Sequence, residues 1–154
     1  MHTNRNNLVA LAHALLGAAA VIASIMTRGQ IRIPEQPVKG IGLAVFALGA
    51  SLFTYALAYL RRAFLGEVDP VGETLVTGGP YRTVRHPVYL AMLVMCIGLA
   101  IAVRSLLGLA LTVLGFLPAA VHRARLEERA LEAKHGDEWR AYRDRTRFLI
   151  PGIY

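Results

Sequence analysis

Two short polar segments beside apolar sequence contain the residues best suited to chemistry, and the first of them is 79–89 (GPYRTVRHPVY). Pro87 suits the first turn of a helix, where a missing backbone N–H costs nothing. Arg85 and His86 then lie just before the helix, next to its free N–H groups and the positive end of its dipole. The pattern predicts either a corner that binds the carboxylate of a small zwitterion or a plain basic anchor at a membrane surface.

The second segment is 122–128 (HRARLEE), in which Arg123 precedes the adjacent acids Glu127 and Glu128. On a solvated helix face, Arg123 and Glu127 would form only a weak i,i+4 pair. The segment follows an apolar block, however, and a carboxylate close to a membrane needs a cation beside it, from an arginine or from a ligand. A zwitterionic ligand with a cationic sulfur would use the basic corner and the carboxylate pair together.

Four apolar blocks predict the elements that position these two segments. Residues 8–26 and 40–60 contain no charged side chain and reach the roughly 20 residues that a helix needs to cross a bilayer. The first block also exceeds the roughly 7–15 apolar residues typical of a signal peptide, so we expect it to be retained. Residues 88–103 and 105–121 are shorter and are separated only by Arg104, which indicates a tight helical hairpin. We therefore expect an all-α integral membrane protein with four transmembrane helices.

Basic residues indicate how the chain is oriented in the membrane. Most of the 17 Lys and Arg residues fall in the N-terminus, in the loop 61–87 and in the tail 122–154. Four crossings put these three regions on one side, which the positive-inside rule makes cytoplasmic. We expect a single domain, 1–154, in a prokaryotic inner membrane, with both termini in the cytoplasm. Topology and anionic head groups account for the net charge of +7, so no nucleic-acid partner is implied.

The tail is predicted to contain two helices. Leucines and alanines within 122–135 form a modest apolar stripe, and Gly136 is a suitable residue to end a helix. Asp137 can then cap a second short helix, in which Trp139 and Tyr142 lie three residues apart on one face. Aromatic side chains suit the head-group layer of a membrane, so we expect both rings at the interface.

The sequence lacks the common motifs of soluble cofactor and metal enzymes. It has no P-loop, no H-E-x-x-H and no G-x-S-x-G, and its five histidines are not spaced as ligands on one helix face, so no metal is expected. The glycines of 40–49 (GIGLAVFALG) lie in a predicted membrane helix and indicate close helix packing. His13 is expected to be neutral and hydrogen-bonded, and the lone Cys96 to be a buried, inert thiol.

The polar segments, taken at full length, resemble a known family. Residues 75–91 (LVTGGPYRTVRHPVYLA) and 123–152 (RARLEERALEAKHGDEWRAYRDRTRFLIPG), with an apolar hairpin between them, are similar to the isoprenylcysteine carboxyl methyltransferase family, whose plan the phospholipid N-methyltransferases share. The resemblance implies a membrane enzyme that uses S-adenosylmethionine without a Rossmann domain. It also implies that the loop, the last membrane helices and the C-terminal helix enclose the cofactor.

The same resemblance implies roles for individual residues. The cofactor would be contacted by Leu75, Val76, Gly79, Pro80 and Tyr81, with Arg85, His86 and Tyr89 at its amino-acid end and Glu127 and Glu128 near its ammonium group. Glu127, Glu128 and Arg147, the last near the methyl acceptor, would be the catalytic residues. A carboxylate acceptor needs no base, whereas an amine acceptor must first lose a proton, which one of the two glutamates can take.

Two other functions remain open at this stage. The end of the tail is also similar to membrane sterol reductases, which would imply NADPH; adjacent carboxylates, however, would repel its 2′-phosphate. A non-enzymatic four-helix protein, such as a proton-coupled exporter, needs an acid within the membrane, and all ten Asp and Glu residues lie outside the apolar blocks. The expected partners are membrane lipid and a lipophilic acceptor: a prenylated carboxylate, an aminophospholipid, a quinone or a thiol.

Overall fold

The structure, a computed structural model, describes residues 2–32, 34–65 and 75–150. Within these ranges the regular secondary structure is helical, apart from one isolated parallel bridge between Val84 and Arg147. The elements are α1 (His2–Met26), α2 (Glu35–Leu65), a 3-10 turn (Gly79–Arg82), α3 (Pro87–Ala102), α4 (Leu106–Leu111), a π-helical turn (Thr112–Phe116), α5 (Leu117–His135) and α6 (Asp137–Arg145).

Three helical stretches are long and apolar enough to cross a membrane: Leu8–Met26, Glu35–Leu60 and Leu106–His135. The prediction of an all-helical membrane protein is confirmed to that extent. The remaining apolar helix, α3, has 16 residues, which corresponds to about 24 Å at about 1.5 Å per residue. A fourth crossing by α3 therefore stays a prediction.

Two predicted boundaries are wrong in the same direction, because helices run further than the apolar blocks. The predicted helix 105–121 and the predicted tail helix are one continuous rod, Leu106–His135, since the sequence after Pro118 contains only residues that a helix tolerates until Gly136. Gly136 ends the rod with a φ of 52°, as expected. Helix α2 extends past residue 60, so the predicted loop 61–87 begins inside it. Parts of the predicted loop and tail, 66–74 and 151–154, lie outside the described residues.

Hydrogen bonds at one end of the bundle show that consecutive long helices run antiparallel. After α1, the N–H of Gly29 donates to Val103 O at 2.9 Å and the N–H of Ile31 donates to Arg104 O at 3.0 Å. Arg104 also pairs with Glu35 at the start of α2, at 2.9 Å. The α1–α2 connection and the α3–α4 turn therefore share one end. Arg104 has a φ of 56° at the tip of that turn, as the hairpin prediction requires.

Glycines let α2 and α3 touch backbone to backbone, which confirms the predicted packing role for Gly42 and Gly49 but not for Gly40. A Cβ placed on Gly42 would lie 2.2 Å from the nitrogen of Ala102, and one placed on Gly98 would lie 2.4 Å from the nitrogen of Phe46. Such approach allows the van der Waals contact that holds helices together where both face hydrocarbon. Gly108 plays the same part between α4 and α1, where its added Cβ would meet Ser24.

We expect Gly42→Ala to destabilise the protein and Gly40→Ala to leave it as stable or slightly more so. The added methyl at Gly42 must push two backbones apart, which costs about 1–3 kcal/mol. Gly40 lies on the same helix with nothing within 4 Å of an added Cβ, and alanine is the better helix former by about 1 kcal/mol. The measurement is the thermal unfolding temperature of the detergent-solubilised proteins. Equal temperatures for the two variants would show that the close approach is not needed.

Candidate functional site

The turn before α3 is shaped by one glycine and one aromatic ring. Gly79 has a φ of 56°, and a Cβ there would lie 2.6 Å from the ring of Tyr59, so no other residue fits without displacing the ring. Pro80 follows within the 3-10 turn, and Tyr81 is buried. Tyr59 therefore packs against this turn. Because the turn is held in this position, the position of the Tyr81 side chain is fixed as well.

Pro87 occupies the first turn of α3 and His86 is the residue before it, as the sequence predicts. The side chain of His86 makes no capping bond to the helix. Its ring lies 5.1 Å from the ring of Phe148 in the tail, in an edge-on arrangement. Only 6% of His86 is exposed, so this histidine is part of a packed site and not a surface anchor.

The tail is fastened to the turn by backbone hydrogen bonds on both sides of Val84. The N–H of Arg85 donates to Arg147 O at 2.8 Å, and the N–H of Arg147 donates to Thr83 O at 2.9 Å. From α6, the hydroxyl of Tyr142 donates to Tyr81 O at 2.8 Å. The loop before α3 and the segment after α6 therefore form one structural unit.

The two predicted clusters are in direct contact. The Nε of Arg85 lies 2.6 Å from Oε1 of Glu128, and the Nε2 of His86 lies 3.3 Å from the same oxygen. The hydroxyl of Tyr89 donates to Oε1 of Glu127 at 2.5 Å, and the Nε of Arg123 lies 3.2 Å from that oxygen. The basic corner before α3 and the acids of α5 thus form one network at one end of the bundle.

The two adjacent glutamates have different surroundings. The side chain of Glu128 is 18% exposed and holds Arg85, whose guanidinium also donates to Thr146 O and Arg143 O. The side chain of Glu127 is 41% exposed and lies at the edge of a cavity. Glu128 therefore joins α5 to the loop and the tail, whereas Glu127 remains accessible to a ligand.

The cavity has a volume of about 350 Å³ and is partly open. It lies between the end of α2, the turn, the start of α3, α5 and α6. Its lining combines apolar and aromatic side chains with a few polar groups: Leu60, Leu75, Val76, Tyr81, Arg85, His86, Pro87, Val88, Tyr89, Glu127, Leu131, His135, Trp139 and Tyr142. Small-molecule sites typically have this composition and a volume of roughly 300–1,000 Å³.

Burial keeps the phenols of the cavity neutral. Loss of solvent, followed by the nearby negative charge of Glu127, raises the pKa of Tyr81 to about 12. Burial likewise raises the pKa of Tyr142 above its usual value. Both phenols are therefore protonated at neutral pH, when they can donate hydrogen bonds but cannot act as phenolate bases.

Seven of the predicted site residues line the cavity and four do not. The seven are Leu75, Val76, Tyr81, Arg85, His86, Tyr89 and Glu127. Gly79 and Pro80 form the turn behind the cavity, and Glu128 is engaged with Arg85. The side chain of Arg147 is exposed, and the residue takes part through its backbone bonds to the turn. Its predicted place near the methyl acceptor stays a prediction.

Seven lining residues were not predicted as site residues: Leu60, Pro87, Val88, Leu131, His135, Trp139 and Tyr142. Leu131 and His135 follow Glu127 at intervals of four, so helical periodicity in a single long α5 would have found them. Trp139 and Tyr142 were expected at the head-group layer, and that expectation is wrong: they are 1% and 2% exposed. They are buried because α6 folds back against the turn, which the local sequence does not encode.

No cluster of three or more His, Cys, Asp or Glu side chains that could hold a metal occurs among the described residues. Both histidines that line the cavity lie beside acids: His86 beside Glu127 and Glu128, and His135 beside Glu138.

Comparison with known proteins supports the grouping suggested by the motifs. The family model of phospholipid methyltransferases matches residues 38–138, about two thirds of the chain. The chain belongs to this family of membrane methyltransferases, to which the isoprenylcysteine carboxyl methyltransferases are related. No curated protein and no solved structure was found to match. The matched region runs from α2 to the start of α6, so α1 and most of α6 lie outside it.

We expect Glu128→Gln to loosen the tail. The change removes the negative charge beside Arg85, whose side chain is only 8% exposed. Because the side chain of Glu128 is still partly in contact with solvent, we expect the free energy of unfolding to fall by about 1–3 kcal/mol, less than the full cost of breaking a buried pair. The measurements are the thermal unfolding temperature and the rate of tryptic cleavage after Arg143 and Arg145.

The matched control is Glu132→Gln, one turn further along the same helix, where the pair with Arg140 is exposed and contributes little. If Glu128→Gln behaves like this control, Arg85 and Glu128 do not hold the tail.

Proposed function

We propose that this protein transfers a methyl group from S-adenosylmethionine, bound in the 350 Å³ cavity, to a lipophilic acceptor at the cytoplasmic face of the membrane. The observation that carries the proposal is that one cavity has a basic histidine corner at one point of its wall and an accessible carboxylate at another. A zwitterion with a cationic centre needs both.

The chemistry of the lining fits the parts of such a cofactor. His86, with the positive charge of Arg85 behind it, suits the carboxylate of the amino-acid end, and Glu127 suits its ammonium group. The rings of Tyr81 and Trp139 and the apolar side chain of Leu131 suit a flat heterocycle. Tyr89, whose hydroxyl donates to Glu127, fixes the direction of that carboxylate.

The protein contributes alignment and the exclusion of water to methyl transfer. When bound, S-adenosylmethionine would supply a methyl group on a cationic sulfur, and transfer to the acceptor atom would leave the electron pair of the broken carbon–sulfur bond on sulfur. Holding donor and acceptor in line replaces a bimolecular encounter with an intramolecular one. Residues of α5, α6 and the turn line the cavity. For an amine acceptor, Glu127 would take the proton.

The same proposal accounts for a site at a membrane. The cavity lies where α3 begins and where α5 runs on from an apolar stretch into polar sequence. An acceptor with an apolar tail can stay in the bilayer while its head reaches this level. Because most Lys and Arg residues lie in the segments at this end, the positive-inside rule favours the cytoplasmic leaflet, in a prokaryotic inner membrane.

Two observations disfavour the other functions considered from sequence. The carboxylate of Glu127 at the cavity would repel the 2′-phosphate of NADPH. The family is one of methyltransferases and gives no support to a purely structural role. The proposal covers lipophilic acceptors that are amines, carboxylates or thiols.

We expect the purified protein to bind S-adenosylhomocysteine. Leu131→Trp should raise the dissociation constant at least about tenfold, which corresponds to a loss of about 1.4 kcal/mol of binding free energy. The larger side chain at Leu131 fills part of the cavity. Ala133→Trp adds the same ring two residues away, on an exposed position of the same helix, and should bind as the parent does. Isothermal titration of folded protein gives both affinities.

Three outcomes of this titration are informative. Loss at Leu131→Trp with retention at Ala133→Trp supports the cofactor site. No binding by folded parent protein refutes the proposal. Binding of NADPH in place of S-adenosylhomocysteine supports a reductase.

We expect methyl-labelled S-adenosylmethionine to transfer label to a lipid-soluble product when membranes containing the protein are incubated with it. An acceptor with an apolar tail partitions into the organic phase on extraction and keeps the label there. Scintillation counting of the organic and aqueous phases is the measurement. Membranes from cells that lack the protein are the control, and label confined to water-soluble products would rule out a lipophilic acceptor.

A further inference from the structure

A second, smaller cavity lies on the other side of the acidic face of α5. Its volume is about 120 Å³ and it is partly open. Among the described residues it is lined by Val9 from α1 and by four residues of α5: Arg123, Leu126, Glu127 and Ala130. We call it the α1–α5 groove. Glu127 is the one described residue that lines both this groove and the large cavity.

The α1–α5 groove lies at the boundary of the apolar part of the bundle. Val9 belongs to the first turn of the membrane-crossing stretch Leu8–Met26. Its neighbours Leu8 and Leu11 are 59% and 56% exposed, and an apolar helix that exposes leucines to its surroundings faces lipid. A volume of about 120 Å³ holds only a small head group, so an apolar chain attached to that head must lie outside, along α1.

Two charges of opposite sign face this groove. Arg123 donates through Nε to the hydroxyl of Tyr89 at 2.7 Å, and the same nitrogen lies 3.2 Å from Glu127. Among the described residues, the two terminal guanidinium nitrogens of Arg123 have no hydrogen-bond partner. The side chain is 32% exposed. A planar guanidinium with two donors available is suited to an anionic oxygen group such as a carboxylate or a phosphodiester.

The wall between the two cavities is supported from α1. His13 lies four residues after Val9, on the same face of the helix, and is 6% exposed. Its ring meets the ring of Tyr89 edge-on at 5.2 Å. The Nε2 atom of His13 is buried without a hydrogen-bond partner among the described residues, a situation that costs free energy unless a polar group reaches it. Tyr89, held between His13 and Glu127, therefore depends on α1 for its position.

We propose that the α1–α5 groove is the acceptor's head-group site, and that it takes amphiphiles whose head carries an anionic oxygen group close to the nucleophilic atom. The anion pairs with Arg123, the nucleophile lies at Glu127, and the apolar chain follows α1. This inference rests on the proposed function, because Glu127 is then the point at which donor and acceptor meet from opposite sides. Helix α1, which lies outside the family match at 38–138, supplies one wall of this site.

The test fills the groove from α1. Val9→Trp places an indole in the groove, and Leu8→Trp places the same ring one residue away, on the lipid-facing side. Two readouts are taken in phosphatidylcholine vesicles. The first is the affinity for S-adenosylhomocysteine. The second is cross-linking by a fatty acid that carries a photoactivatable diazirine next to its carboxylate.

We expect both variants to bind S-adenosylhomocysteine as the parent does. In Val9→Trp, cross-linking of the fatty acid to α1 and α5 should fall at least about tenfold. In Leu8→Trp it should stay at the level of the parent. Ala130→Trp, which fills the groove from an exposed position of α5, should repeat the loss if Val9→Trp does not fold. Unchanged cross-linking in folded Val9→Trp and Ala130→Trp overturns the groove as the acceptor site while the cofactor site stands. Failure of the parent to bind S-adenosylhomocysteine overturns the proposed function itself.

A second comparison identifies the source of the anion. Methyl transfer is measured in phosphatidylcholine vesicles that contain, in separate arms, phosphatidylethanolamine, oleic acid or hexadecylamine. Arg123→Gln should raise the KM of whichever anion-bearing acceptor is used, phosphodiester or carboxylate, by about tenfold, the effect of one charged hydrogen bond. Transfer to hexadecylamine, which carries no anion, should be weakened by a smaller factor, because it loses only the support that Arg123 gives to Tyr89 and Glu127. Equal effects of Arg123→Gln in all arms overturn the pairing of Arg123 with an anion.

Discussion

The contact between Arg85 and Glu128 is the interaction on which the site depends. Arg85 precedes α3, Glu128 belongs to α5, and the same guanidinium donates to the carbonyls of Arg143 and Thr146. One rigid fork of donors therefore holds three parts of the chain together. A lysine has the charge but not the geometry to do this. Because the guanidinium is only 8% exposed, its charge needs all of these acceptors, and the arrangement is satisfied only when the tail is docked.

The continuous rod Leu106–His135 connects this contact to the membrane. Its first half packs among α1 and α3, where Phe116 is fully buried, and its second half carries Glu127 and Glu128. No loop intervenes, so the position of the acids relative to the apolar helices is set by helix geometry and by the packing of Phe116. A site that must meet an acceptor held in a bilayer benefits from such a rigid link, because small displacements of reacting groups cost rate.

The adjacent glutamates show how a shared sequence motif divides into two roles. Successive residues of an α-helix point about 100° apart, so Glu127 and Glu128 face largely different neighbours, although the ring of His86 lies near both. Glu128 turns towards Arg85 and His86, and Glu127 turns towards the cavity and Tyr89. A carboxylate already paired with a buried arginine is a poor partner for a ligand. The accessible carboxylate of Glu127 is therefore the better candidate to hold an ammonium group or to take a proton.

Prediction from the sequence succeeded where the signal is local and failed where distant segments meet. Three of the four apolar blocks lie in the helices that are long and apolar enough to cross a membrane, Pro87 predicted the start of α3, and Gly136 predicted the end of α5, because each depends on hydrophobicity or on backbone freedom of single residues. The length of α5 was underestimated because polar residues after Val121 were read as a separate tail, although they are good helix formers.

The sequence alone therefore determined which groups could form the site: a basic corner at a helix start, two acids after an apolar stretch, and four apolar blocks to position them. Only the tertiary structure decided which acid faces a cavity, and it buried Trp139 and Tyr142, which the sequence had suggested for the membrane surface. The physical reason is that burial and pairing of these side chains come from contacts between the turn, α5 and the tail. Those contacts join residues some 40 to 60 positions apart, such as Arg85 with Glu128 and Tyr81 with Tyr142, and no local pattern records them.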